Sequence, residues 1–291
     1  MSKNPQTKFP KPGKDESPQK YPGLEKEMNI KPNYDNKSYS GSNKLNGKVA
    51  LITGGDSGIG RSVAVTYAKE GADVAITYLA DEKADAEVVE KQIKKTGQKC
   101  LLIEADFRDL NSCEEVIDKI VSQFGRLDIL VNNAAIQRNF ENLQSIKAED
   151  FEEIYRVNVV APFELSKLAV EHMQPGSSII NTVSIQAFDP SFILLPYAAS
   201  KGAFTELTKG LASCLIDKGI RVNAIAPGPI WSPLNTHASP KSKLKKFGES
   251  TAIGRPGQPI ELAPVYILLA SDEASYITGE IYGITGGSGI V

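Results

Sequence analysis

Several things are scarce in this sequence, and each shortage removes a class of explanation. There are 3 cysteines in 291 residues. Cys100, Cys113 and Cys214 are too few and too scattered for a disulfide framework or a zinc site built on thiolates. They read as reduced, buried thiols of a cytoplasmic protein. The 2 histidines, His172 and His237, lie far apart, and nowhere do Asp, Glu, His and Cys take the spacing of a catalytic metal centre, so no metal is expected. Neither sign of charge is in excess. The 33 basic and 35 acidic side chains leave a net charge of -2, which argues against a dedicated nucleic-acid or anionic-membrane surface. No apolar run approaches the roughly 18 residues of a membrane span. The polar N-terminus lacks the apolar stretch of a secretory signal. At 41% hydrophobic and 23% charged residues, the remaining class is a soluble globular protein able to bury a sizeable core.

What is present divides into two materials. Residues 1–44 carry Pro5, Pro10, Pro12, Pro18, Pro22 and Pro32, many lysines and few aliphatics. Such a segment cannot bury enough apolar surface to fold alone. It is expected to be a flexible extension, mobile over residues 1–20, where Lys3, Lys8, Lys11, Lys14 and Lys20 fall. Leu24, Met28, Ile30 and Tyr34 offer anchors for its later part, on the body or on a neighbouring subunit. From Lys48 onward short apolar runs alternate with helical ones. Val49–Thr53, Asp73–Tyr78, Cys100–Ala105, Asp128–Val131, Ser178–Val183, Arg221–Ile225 and Ile281–Ile284 read as strands. Helices are expected over Arg61–Glu70, Asp81–Lys95, Leu110–Phe124, Glu149–Met173 and Tyr197–Lys218. Alternation of this kind predicts an α/β fold, a doubly wound parallel sheet in one domain over residues 45–291, with its ligand at the carboxyl ends of the strands. Between about 228 and 257 the period lapses among prolines, lysines and Trp231, and this insertion reads as a lid.

Two local patterns carry chemistry. Thr53-Gly-Gly-Asp-Ser-Gly-Ile-Gly60 occupies the first strand-to-helix turn, where glycines let the backbone approach a pyrophosphate resting on the helix N-terminus. Farther on, Tyr197 and Lys201 are four residues apart and share one face of a helix. A phenol loses its proton only near pH ~10, and a fixed ammonium one turn away favours the phenolate. Ser184, at the end of the Ser178 strand, would face that pair and polarise a carbonyl.

With the glycine turn, Asn132-Asn-Ala-Ala135 after the fourth strand, Ser184, Tyr197, Lys201 and Pro227-Gly228, the sequence resembles the short-chain dehydrogenase/reductase family, in its short single-domain branch. The resemblance covers about Leu45 to the C-terminus. It implies hydride transfer between a nicotinamide cofactor and a carbonyl/alcohol pair. Tyr197 would exchange the proton with the substrate oxygen, Ser184 would hold that oxygen, and Lys201 would lower the Tyr197 pKa and bind the nicotinamide ribose. Asn158 would connect Lys201 to solvent through water. The cofactor would lie on Gly54, Asp56, Ser57, Gly58, Ile59 and Gly60, with Tyr78 at the end of the second strand, Asp106 at the adenine, Asn132 and Ala134 behind it, and Pro227, Gly228 and Ile230 at the carboxamide. Ala135 stands where the family usually has glycine, and Ser232 where threonine is common. A homotetramer is implied as well.

The choice of cofactor rests on charge. The second strand ends in Tyr78-Leu79 and Asp81 reads as the N-cap of the next helix, so the usual acidic partner of a ribose diol is missing. Missing too are basic groups for a 2′-phosphate: Ser57 stands where NADP-using relatives often carry Arg or Lys, and Asp56 would repel a phosphate. The balance favours NAD, with NADP not excluded. Ile185, Gln186, Phe188, Phe192 and Trp231 are expected near the substrate. Two rival functions share the fold: a dinucleotide sensor without turnover, and lyase or epimerase chemistry.

Overall fold

In the computed structural model, residues 4–11 and 16–290 are described. Lys3, Pro12 and Lys14 of the extension lie outside them. Seven strands form one sheet: β1 (Val49–Ile52), β2 (Asp73–Tyr78), β3 (Cys100–Glu104), β4 (Ile129–Asn132), β5 (Ser178–Thr182), β6 (Arg221–Pro227) and β7 (Ile281–Ile284). Their order is β3-β2-β1-β4-β5-β6-β7, and every neighbouring pair is parallel. The chain winds outward from β1 to β3, returns to β4 beside β1, then winds the other way. That reversal opens a crevice beyond the carboxyl ends of β1 and β4.

Both faces of the sheet are covered. Ala50 and Ile52 of β1 enter one core with residues of α1 (Gly58–Lys69), α2 (Lys83–Lys94) and α9 (Ala263–Ala270). Val49 and Leu51 enter the other, with α3 (Asn111–Phe124), α4 (Ala148–Tyr155), α5 (Ala161–Val170) and α6 (Leu195–Leu215). Alternate side chains thus serve opposite layers, and each strand reads as a continuous apolar run. Among the described residues no helix is long and apolar enough to cross a membrane.

The structure differs from the expected elements in three places. The helix expected over Glu149–Met173 contains a π-helical stretch, Arg156–Val160, between α4 and α5, with Ala161 N bonded to Arg156 O. Pro162 is the cause: it has no N–H to give Asn158 O four residues back, so the ladder widens by one residue there. Asp81 does not cap α2. Glu82 accepts from Leu79 N at 2.8 Å and closes the turn Ala80–Glu82 ahead of the helix. The extension meets the domain earlier than its apolar residues suggest: Arg255 Nε donates to Pro5 O at 2.8 Å, and the Arg255 guanidinium lies 5.3 Å from the Phe9 ring centroid. The buried Glu16 carboxylate accepts from Asn29 N and Ile30 N at 3.0 and 3.2 Å. Farther along, Met28 packs with Trp231 and Leu244, and Trp231 Nε1 donates to Ile30 O at 2.8 Å. Within the 228–257 insertion lie α7 (Pro233–Ala238) and α8 (Lys241–Leu244).

Candidate active site

The glycine turn leaves β1 at Thr53, whose hydroxyl accepts from both Asn133 N and Ala134 N at 2.9 Å. Asn133 returns the contact, its Nδ2 donating to Thr53 O and Gly54 O at 3.0 and 3.2 Å. The turns after β1 and β4 are thereby stitched to one another. At Gly60 a side chain is impossible, since a Cβ would stand 2.0 Å from Gly54 O. The N-terminus of α1 is thus drawn tight against the turn, and its first amide, Gly58 N, donates to the Glu25 carboxylate at 2.9 Å. Asp56 is buried, hydrogen-bonded to the Ser57 hydroxyl, and raised to about 6 chiefly by desolvation. Its Oδ2 has no hydrogen-bond partner among the described residues.

Across the cleft, Ser184 caps the turn Ile185–Ala187, its hydroxyl accepting from Gln186 N at 3.1 Å. Tyr197 and Lys201 stand on the first turns of α6 and are buried, 6% and 1% exposed. Burial pushes the Tyr197 phenol up to about 12, while a hydrogen bond with the Ser184 hydroxyl pulls the other way. Burial pulls the Lys201 amine down to about 7. The expected lowering of Tyr197 by Lys201 is therefore not what this geometry gives. The Lys201 Nζ lies 5.6 Å from the Tyr197 ring centroid and donates to Thr182 O at 2.7 Å. Desolvation sets the direction of the Tyr197 shift.

Asn158 lies in the π-helical stretch and is fully buried. Its Oδ1 accepts from Ile136 N at 2.9 Å, and its Nδ2 donates to Ile136 O and Ser200 Oγ, each at 3.0 Å. The side chain staples the loop after β4 to α6. Asn132 belongs to a buried polar chain: its Nδ2 reaches Ser166 Oγ and Asn181 Oδ1, and Asn181 Nδ2 reaches Thr208 Oγ1. This chain pins α5, β4, β5 and α6 together behind the cleft.

The cleft itself has a volume of about 410 Å³. Gly54, Asp56, Ser57, Gly58, Ile59, Tyr78, Asp106, Ala134, Ser184, Tyr197, Lys201, Pro227, Gly228 and Ile230 line it. Gly60, Asn132 and Asn158 do not; they brace the wall from behind. Asp106 is held by Arg108, whose Nε is 3.0 and 2.9 Å from its two carboxylate oxygens. Ile185 and Gln186 line the cleft, but three expected neighbours do not. Trp231 is fully buried under the extension, Phe188 packs with Val183 and Phe204, and Phe192 is 71% exposed. Sequence reasoning also missed residues that are there. Glu82 lines the cleft, and burial together with Asp56 raises it to about 8. His237 of α7 lines it with Nε2 unpartnered, burial lowering it to about 4. Tyr21 and Pro22 come from the extension. Among the described residues no three His, Cys, Asp or Glu are placed to hold a metal ion.

A glycine turn closed to any side chain, a helix N-terminus beyond it, and an elongated cleft ending at a Ser/Tyr/Lys set fit a dinucleotide whose reactive ring meets Tyr197. That defines a class: a dinucleotide-binding α/β protein with an acid–base pair at the cleft. Comparison with known proteins narrows it. A family model described as "Enoyl-(Acyl carrier protein) reductase" matches residues 54–288. The uncharacterized oxidoreductase YhdF of Bacillus subtilis is 50% identical over 91% of this chain and 92% of its own. The NADPH-dependent aldehyde reductase 1, chloroplastic, of Arabidopsis thaliana is 44% identical over 92% of this chain and 95% of its own. A crystal structure of a short chain dehydrogenase from Burkholderia cenocepacia, in complex with NADP, superposes with a TM-score of 0.78 at 34% identity, covering 84% of this chain and 98% of that one. The chain belongs to the short-chain dehydrogenase/reductase family and is a nicotinamide-dependent oxidoreductase.

Proposed function

We propose that this protein reduces a small carbonyl compound to an alcohol, with Tyr197 as the proton donor. The observation that carries the proposal is the meeting of the Ser184 and Tyr197 hydroxyls at the cleft, with the phenol held protonated by burial. A protonated phenol donates; it is a poor base until the pH approaches its pKa. Ser184 would orient the carbonyl oxygen and stabilise charge developing on it. Lys201, anchored through Thr182 O, would present its amine to the ribose beside the nicotinamide. Asn158 and Asn132 would hold the wall in place. The nicotinamide ring supplies the hydride when bound, and the backbone from Gly54 to Ile59, Ala134, Gly228 and Ile230 would hold the dinucleotide.

For the cofactor the reading is NAD(H) in preference to NADP(H). Among the described residues lining the cleft Lys201 is the only lysine or arginine, whereas Asp56 and Glu82 line its adenosine end. A 2′-phosphate there would meet these carboxyl groups, and the nearby Arg108 guanidinium is already paired with Asp106. The Arabidopsis name and the Burkholderia complex speak for NADP(H) in those proteins; the lining of this cleft supports the other choice. We read the chain as cytoplasmic and homotetrameric. Exposed Val160 and Phe163 on one helical face support assembly, and sedimentation showing a stable monomer at micromolar concentration would refute it.

The test is a panel of aldehydes, ketones and sugars assayed in both directions with both cofactors, following the nicotinamide absorbance. Tyr197→Phe should cut turnover by about 10²-fold or more while dinucleotide affinity stays near wild type. A variant keeping most of its kcat would overturn the assignment of the acid.

A further inference from the structure

The cleft has a wall that the catalytic domain does not supply. Tyr21, Pro22 and Gly23 of the N-terminal extension line it opposite Leu79 and Asp106, at the carboxyl ends of β2 and β3. Tyr21 and Pro22 also border a second cavity of about 470 Å³ between Leu79 and Asp106. The turn that carries them is closed by the Gln19 carboxamide, which accepts from Leu24 N at 2.6 Å and donates to Leu24 O at 3.2 Å. Gly23 takes φ +84°, and a Cβ there would stand 2.8 Å from Pro233 O, so the turn lies directly on α7. The Tyr21 ring stands edge-on to His237, centroids 5.4 Å apart at 81°, with the Arg108 guanidinium 5.9 Å from its centroid.

Both flanks of the turn are fastened, and to opposite sides of the cleft. On the insertion side, Gln19 N donates to Thr236 O at 3.3 Å and Trp231 Nε1 to Ile30 O at 2.8 Å. On the glycine-turn side, Glu25 is buried between Arg61 Nη1 at 2.5 Å and Gly58 N at 2.9 Å, and Lys26 N donates to Asp85 at 3.1 Å. A merely solubilising tail needs neither buried charge nor contact with both lips.

We propose that this strap completes the adenosine end of the cleft, and that Tyr21 is a ligand-binding residue whose ring covers the purine of an adenine nucleotide. This rests on the reading of the cleft as a dinucleotide site. The chemistry follows from the wall: an aromatic ring facing the ends of β2 and β3 offers a base a stacking surface, and Asp106 opposite offers an acceptor for an amino group.

Calorimetric titration of the full chain with ADP and with the dinucleotide tests it. Tyr21→Ala should weaken both by about tenfold, within the range of one base–aromatic stack. Tyr21→Phe should bind as wild type does. Gly23→Ala, which drives the turn off Pro233, should weaken ADP in the same way. Equal ADP affinity in wild type and Tyr21→Ala overturns the proposal while leaving the dinucleotide site standing. A wild type that binds neither ADP nor dinucleotide overturns the reading of the cleft itself.

Discussion

Replacing Asn158 by alanine separates two accounts of that residue. As a link in a water path from Lys201, it would matter to proton movement alone. The structure gives it a mechanical task. Its carboxamide satisfies both the N–H and the C=O of Ile136, at 2.9 and 3.0 Å, and bonds Ser200 Oγ at 3.0 Å. Ile136 is 5% exposed, so water does not readily take over. Ser200 Oγ keeps a partner in Tyr197 O at 2.7 Å. Alanine therefore orphans two buried backbone groups, at about 1–3 kcal/mol each. The sum, about 4 kcal/mol, is a large part of the roughly 5–15 kcal/mol that holds a domain folded. For a chain of this length it corresponds to a fall in Tm of about 8–16 °C. The loop that loosens carries Ala134 and Ala135 along the cleft, so KM for the dinucleotide should rise as well. Scanning calorimetry and steady-state kinetics on the same sample measure both. If Tm moves by less than about 2 °C while kcat falls, the staple is refuted and the relay account gains.

Three other outcomes follow from the charges. With the Tyr197 phenol pushed up to about 12, alcohol oxidation should accelerate roughly tenfold per unit from pH 7 to 10, because the base form grows by that factor; a flat profile would refute a raised phenol. Ser57→Arg, at a position on the cleft, should raise the NADP/NAD ratio of kcat/KM by about 10-fold or more, the worth of one charge-assisted hydrogen bond; a wild type already favouring NADP defeats the charge argument. Asp56 is unsuited to the same test, since at 2% exposure an arginine would be forced into the wall. Burial raises Glu25 to about 7 from its ordinary 4.5. Between those values the folded chain keeps a proton that the unfolded chain has lost, so stability falls as pH rises through the window. Glu25→Gln removes that dependence and should gain on wild type in unfolding free energy from pH 5 to 8, by at most about 3 kcal/mol; the opposite trend would mean that Arg61 holds the carboxylate fully charged.

The sheet was legible because its central strands are buried on both faces, so runs such as Val49–Ile52 stand out without any partner in view. The glycine turn and the Tyr197–Lys201 pair were legible for a related reason: backbone geometry fixes their spacing, at Gly60 by a contact no side chain permits. The sign of the Tyr197 shift was not legible. Spacing along a helix says that an amine is one turn away, but the balance between attraction and desolvation depends on how much of the chain closes over both groups, which the local sequence does not record. The π-helical stretch was half legible, since Pro162 marks where the ladder must yield but not how.

The extension was the hardest part to read, and the reason is instructive. Its composition is that of a segment unable to fold alone, and that inference concerns autonomy, not attachment. What shapes and fastens it is largely polar: within it, Glu16 to the amides of Asn29 and Ile30 and Gln19 to both backbone groups of Leu24, and toward the domain, Glu25 to Arg61 and Gly58. In sequence each of these looks like a solvated side chain. Arg61 gave the complementary signal unread, a guanidinium at the fourth residue of a helix that is buried without a break from Gly60 to Ala68. A charge so placed demands a partner. Within the catalytic domain Asp85 supplies one, at 3.3 Å, and the shorter contact comes from a residue 36 positions upstream. The partner of a buried charge is therefore where a tail of this composition should be sought, and here the search leads to the rim of the cleft.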